Sequence, residues 1–155
     1  MASWETQGFA KQSIRSYRSL FESLAAPESD ATTGQYLAQF IGPAWLTAIA
    51  PRLLPLGGLS GWAGKSFNAK GEAINLLREG DKLAQRIPMV RCIERSKIDA
   101  HSGLTLTYDK RAPLPLRALR DELRALDHDT LLGMTIVDLP LLNAIPMPFL
   151  LRRMV

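Results

Sequence analysis

The 155-residue chain predicts a β-rich α+β fold, an antiparallel sheet preceded by an N-terminal helix, and three stretches predict it. Ile14, Tyr17, Phe21 and Leu24 recur at helical spacing. Residues 89–98 and 104–109 alternate in side-chain character about a polar turn at 99–103, the pattern of a hairpin of two half-buried strands. Gly61-Trp62-Ala63-Gly64-Lys65-Ser66-Phe67 sets two aromatics, two glycines and a cation in seven residues. Such a run suits a strand that approaches a neighbour closely, with Trp62 large enough to plug a core.

In chain order, residues 8–26 form the helix, ended by Pro27 and followed by a polar turn at 28–33. Its apolar face must cover the body of the fold. Residues 34–40 read as a strand anchored by Tyr36 and Phe40 and broken by Gly42-Pro43. Residues 44–50 read as a short helix with Pro43 at its first position. The connection at 51–60 is apolar and punctuated by Pro and Gly; such a loop is expected to line a cavity or an interface. In the hairpin, Arg91, Arg95 and Lys97 are assigned to one face, and Val90, Cys92, Glu94, Ser96 and Ile98 to the interior. Leu104, Leu106 and Tyr108 then face inward. Leu116, Leu119, Leu123 and Leu126 fit a helix, although residues 119–127 also fit a strand; periodicity favours helix. Residues 131–137 read as a strand, 140–148 as a loop and 149–153 as a closing edge strand. One domain is expected, 1–33 helix and turn, 34–155 the β-rich body.

Composition narrows the function classes. Apolar residues make up 46% and charged ones 22%, the balance of a globular protein. The net charge is +4, and the excess lies in residues 61–155, interleaved with acids. That pattern reads as a mixed solvated surface, and nucleic acid is not expected as a partner. A single cysteine, Cys92, leaves no intrachain disulfide, and no Cys/His cluster suggests a metal. The apolar region at 41–59 is interrupted by Pro43, Arg52 and Pro55, so no membrane span is expected, nor a signal peptide; a cytoplasmic location is the default. No cofactor fingerprint is present, since the Gly64-Lys65-Ser66 run lacks the first glycine of a phosphate loop.

The run at 61–67 resembles the Gly-Trp-x-Gly-Lys-x-Phe element of a family named for an upstream GXWXG motif, with its associated C-terminal domain of unknown function. The likeness continues in order through Tyr108-Asp109, the Pro-rich approach at 113–121, Asp127-His128-Asp129-Thr130-Leu131-Leu132-Gly133, and Leu151-Arg152-Arg153. At the GXWXG position this chain has Gly34-Gln35-Tyr36-Leu37-Ala38, with tyrosine for tryptophan and alanine for the second glycine. It is identified as a divergent member. The resemblance implies a compact, lipocalin-like antiparallel β-barrel behind a short helix, which would make residues 116–126 a strand. A barrel of about eight strands has an interior just able to hold a small ligand.

Lys65 is the sole charge between Leu53 and Ala69, so an inward ammonium needs a partner. Glu94, assigned to the interior, is the expected one. With Tyr108 it would complete a Lys65–Glu94–Tyr108 cluster, the candidate catalytic or polar-recognition group. Tyr36, Phe40, Trp62, Phe67, Arg91, Asp109 and Asp121 are the candidate ligand-binding residues. Asp127 and Asp129 are expected as turn formers, and His101 and His128 as solvated turn residues. The function expected is binding of a small, mostly apolar molecule. The alternatives are a cofactor-independent cyclase or isomerase of lipid or natural-product metabolism using the same cavity, and an interaction protein using residues 41–59. A homodimer is a further candidate partner.

Overall fold

The computed structural model describes residues 3–5, 8–28 and 32–155. Its centre is a closed antiparallel barrel of eight strands: β1 (Gly34–Phe40), β2 (Trp62–Phe67), β3 (Ala73–Glu79), β4 (Lys82–Arg95), β5 (Ser102–Thr107), β6 (Leu119–Ala125), β7 (Thr130–Val137) and β8 (Met147–Arg153). Each strand pairs with the next in sequence. The last closes on the first, from Tyr36↔Arg153 to Phe40↔Phe149. Residues 149–153 are therefore not an edge as predicted. They belong to a strand hydrogen-bonded on both sides.

The predicted helix at 8–26 is shorter, α1 (Ile14–Ser23), after a separate 3₁₀ turn at Phe9–Lys11. Ser13 starts it by accepting from the Ser16 N–H at 3.1 Å, and the chain turns extended at Leu24, before Pro27. Tyr17 and Phe21 are buried, as their spacing predicted, with Leu132, Met134 and Leu150 on the barrel's outer face. The predicted polar turn at 28–33 lies in part outside the described residues. The second helix, α2 (Ala44–Leu53), has Pro43 as its cap and continues through Pro51 into a 3₁₀ turn at Leu54–Gly57. Pro51 is tolerated because it falls in the last turn, where one lost backbone bond ends no longer helix.

Two further expectations are corrected. Residues 119–125 are strand β6, reached by a short 3₁₀ turn at Leu116–Ala118, and not a helix. The charged positions Arg120, Glu122 and Arg124 mimicked a solvated helix face, but they are buried on the barrel's outer side, so β6 is covered on both faces. On β4 the face assignment is inverted. Met89 and Arg91 point inward, Arg91 opposite Leu106, while Val90 and Glu94 point out and are exposed. An exposed apolar Val90 on an uncovered outer face, and an arginine folded over Phe67 at a barrel end, reverse the polarity pattern that usually marks inside from outside.

Two cores result. One fills the barrel and includes Tyr36, Phe67, Leu77, Leu104, Leu106, Leu123, Phe149 and Leu151. The other lies outside it, under α1 and the N-terminal turns.

Candidate functional site

The site is built on a bulge. Trp62 pairs with Leu77 and Gly64 with Leu76, so Ala63 is an extra residue in β2. Alternation alone would send Trp62 and Lys65, three positions apart, to opposite faces. The bulge shifts the phase and brings both inside. Gly64 is required there: a Cβ on it would sit 1.9 Å from the Tyr36 carbonyl oxygen of β1. A second bulge, at Ile87, interrupts the β3–β4 register between Ile74 and Asn75. It frees the Ile87 carbonyl, which accepts from Asn75 Nδ2 at 3.0 Å.

Lys65 is 2% exposed and its ammonium uses all three hydrogens. It donates to Asp121 Oδ2 at 2.9 Å, Asn75 Oδ1 at 3.0 Å and Met89 Sδ at 3.2 Å, and lies 5.3 Å from the centre of the Trp62 ring. Asp121, 6% exposed, also accepts from Thr135 Oγ1 at 2.6 Å. Asn75 is saturated. Its oxygen takes Lys65 and the Trp62 indole N–H (3.0 Å), and its amide nitrogen gives to Ile87 O and to the Tyr108 hydroxyl (3.0 Å). Counting through this network leaves one donor hydrogen, that of Tyr108 O–H, without an acceptor among the described residues. Burial, and then the negative charge of Asp121, hold the Tyr108 phenol well above the ordinary tyrosine range, so it stays protonated.

These groups form the polar floor of an apolar cavity of ≈ 320 Å³. Its walls come from Phe40, Leu59, Trp62, Leu116, Leu119 and Phe149, and its mouth from Leu53, Leu54, Leu56, Leu139 and Leu142. Gly133 makes room for one wall, since a Cβ there would overlap the Phe149 ring. The connection after α2 thus borders the cavity as its sequence suggested. It does not seal it, because Leu53 and Leu56 are exposed at the rim.

Of the predicted residues, Lys65, Tyr108, Asp121, Trp62 and Phe40 come together here. Glu94 does not: it lies outside the barrel, held by Arg120, and the partner of Lys65 is Asp121. Trp62 is half-buried and lines the cavity, and so is not the fully buried plug its size suggested. Tyr36, Phe67 and Arg91 lie at the opposite end of the barrel. There the two rings meet edge to face at 5.5 Å, and Arg91 stacks on Phe67 while donating to the Thr32 carbonyl. Asp109 is exposed in the turn after β5, bound to Arg111. Asn75 and Thr135 were missed. A lone amide inside Ala73-Ile74-Asn75-Leu76-Leu77 was the available signal for the first; Thr135, an ordinary strand former, carried none. Asp127 is the turn former expected, accepting from the Asp129 N–H at 2.8 Å. Among the described residues no His/Cys/Asp/Glu group could hold a metal, and no helix is long and apolar enough to cross a membrane.

No family model matches the chain, and no curated protein matches it. A solved structure is similar, the crystal structure of a protein from Thermomonospora curvata, with a TM-score of 0.67 and 19% identity over 94% of this chain and 90% of that one. At that identity the likeness is one of fold: a β-rich barrel.

Proposed function

We propose that the barrel binds a small, mostly apolar molecule bearing one neutral hydrogen-bond acceptor, a carbonyl, ether or hydroxyl oxygen. One observation carries this reading: an apolar cavity ends on a floor whose charges cancel and whose single uncommitted donor, among the described residues, is Tyr108. A volume of ≈ 320 Å³ stands at the lower end of the roughly 300–1,000 Å³ usual for small-molecule pockets. Lys65 was expected in a polar-recognition cluster with Glu94 and Tyr108. With Asp121 at 2.9 Å its charge is already matched, and a second carboxylate would leave one anion buried without a partner. The divergent membership of the GXWXG family, inferred from the run at 61–67 and the motifs after it, remains part of this proposal and adds no activity of its own. The reading is tested by native mass spectrometry of the purified protein. A bound neutral molecule released on unfolding is expected; a protein that carries nothing and takes up no neutral amphiphile overturns it.

A second reading, catalysis without a cofactor, is favoured by the presence of Asp121 and protonated Tyr108 at one floor. A carbonyl oxygen held by Tyr108 would place a carboxylate near the carbon beside it, the arrangement for isomerisation or cyclisation through an enol. The check is deuterium exchange at the α-carbons of 2-octanone, followed by NMR. Catalysed exchange, abolished in Asp121→Asn, supports an enzyme; exchange at the buffer rate supports a carrier.

A further inference from the structure

We propose that the mouth of the barrel docks on an anionic lipid surface. This goes beyond ligand binding and does not depend on what fills the cavity. The rim is apolar along α2 and the turn after it, and along the loop between β7 and β8. Trp45, Ile49 and Leu53 stand at i, i+4 and i+8 on α2 and are all exposed, and Leu56 follows at 72% exposure. Across the opening, Leu139, Leu141, Leu142 and Ile145 are exposed, and beside them Leu114 precedes Pro115 of the lining. Leu141 is 87% exposed with φ +71°, a backbone conformation costly for a bulky side chain, which holds a leucine at the tip of its loop. Leu53, Leu56, Leu139 and Leu142 both line the cavity and face solvent, so the apolar surface is continuous from rim to interior.

Charge selects the partner. Three segments of the mouth, 41–60, 110–118 and 139–151, contain Arg52, Lys110, Arg111 and Arg117 and no acidic residue, while the β3–β4 hairpin at the same end carries Asp81 and Glu79, the latter bound to Arg86. Two acids border these segments: Asp109, just before the second, binds Arg111, and Asp138, just before the third, binds Lys97. Among the described residues no carboxylate forms an ion pair with Arg52, Lys110 or Arg117. Arg117 also reaches the Lys110 carbonyl at 3.4 Å, which keeps these two cations on the same side of the rim. Exposed leucines and a tryptophan flanked by Arg52 on one side and Lys110 and Arg117 on another fit an interface of acyl chains below anionic headgroups. A second copy of this chain would set the same cations against one another.

The experiment is flotation of the full chain with vesicles of phosphatidylcholine mixed with phosphatidylglycerol, against vesicles of phosphatidylcholine alone. Binding to the mixed vesicles is expected, weakened by salt. Leu56→Asp with Leu141→Asp is expected to lower partitioning at least tenfold, and Arg52→Gln with Arg117→Gln by about thirtyfold. These side chains are exposed, so unchanged melting is the fold control. A second readout keeps the wild type itself informative: lipids brominated on the acyl chain should quench emission that Trp45→Phe removes. No flotation with either vesicle, or binding indifferent to all four rim substitutions, overturns the proposal. So does a dimer in sedimentation velocity that Leu56→Asp with Leu141→Asp dissociates, which would assign the rim to a second copy.

Discussion

Replacing Lys65 by methionine removes the ammonium and keeps nearly the whole stem, so it separates charge from packing. In the parent, Asp121 is 6% exposed and its charge is met by Lys65 at 2.9 Å. In Lys65→Met the carboxylate keeps only the Thr135 hydroxyl. Breaking a buried pair by removing one partner costs about 3–5 kcal/mol, because the other charge stays desolvated. For a chain of this size each kcal/mol moves the melting temperature by about 2–4 °C, so Tm should fall by roughly 6–20 °C. Adding Asp121→Asn removes the stranded charge and leaves a carbonyl oxygen for Thr135. The double variant is expected within about 2 kcal/mol of the parent, well above either single variant. Urea denaturation at neutral pH, followed by tryptophan fluorescence, measures all four corners of the cycle. Two singles that each cost under about 1 kcal/mol and add in the double would mean a solvated pair, and the reasoning about a dry floor would fail.

Further outcomes are as specific. Gly64→Ala should lose at least about 3 kcal/mol or fail to fold, because its Cβ meets backbone 1.9 Å away that cannot shift without separating β1 from β2; Gly71→Ala, with open space around it, is the contrast. Tyr108 has a folded pKa above its unfolded value of 10.0. Its contribution to stability is therefore complete below pH 10 and lost as pH rises above it, and its absorbance change on ionisation should track unfolding in alkaline titration. Tyr108→Phe should weaken a ketone ligand by about tenfold while costing roughly 1–2 kcal/mol of stability. Burial, and then its hydrogen bond to Glu94, push the Cys92 thiol up from 9.0 to about 11. Its alkylation near pH 8 should be about a hundredfold slower than that of an unperturbed thiol, rising steeply with pH. Glu94→Gln, which removes the nearby charge, should speed it.

How much could be read in advance depended on whether a strand meets water on one side. The second strand of the hairpin, through Leu104 and Leu106 to Tyr108, was legible because its inward residues are apolar and its outward ones polar. Residues 119–125 were not. Arg120 and Glu122 bind each other on the outer face, and Glu122 also accepts from Lys97 N, so charge there signals a buried network rather than solvent. Lys65 stood out as the lone charge in an apolar run. Its partner was misassigned because alternation placed Glu94 inside, when β4 carries Arg91 inward and Val90 outward. The bulge that brings Trp62 and Lys65 to the same face was signalled by Gly64, yet nothing local says which strand requires that glycine. That requirement comes from Tyr36 on β1, far along the chain. The mouth was legible as an apolar segment but not as an opening, since only the barrel's closure decides what it surrounds.

The cavity's floor is neutral, with Tyr108 as its free donor among the described residues. The direct measurement is calorimetric titration of the ligand-free protein with 2-octanone, 1-octanol and octanoate, equal in chain length and different only in the head. The ketone and the alcohol are expected to bind, and octanoate at least about tenfold more weakly, since its charge would be buried without a partner. Octanoate binding more tightly than either, and losing that advantage in Lys65→Met, would show that the ammonium is available to a ligand and would contradict a neutral floor.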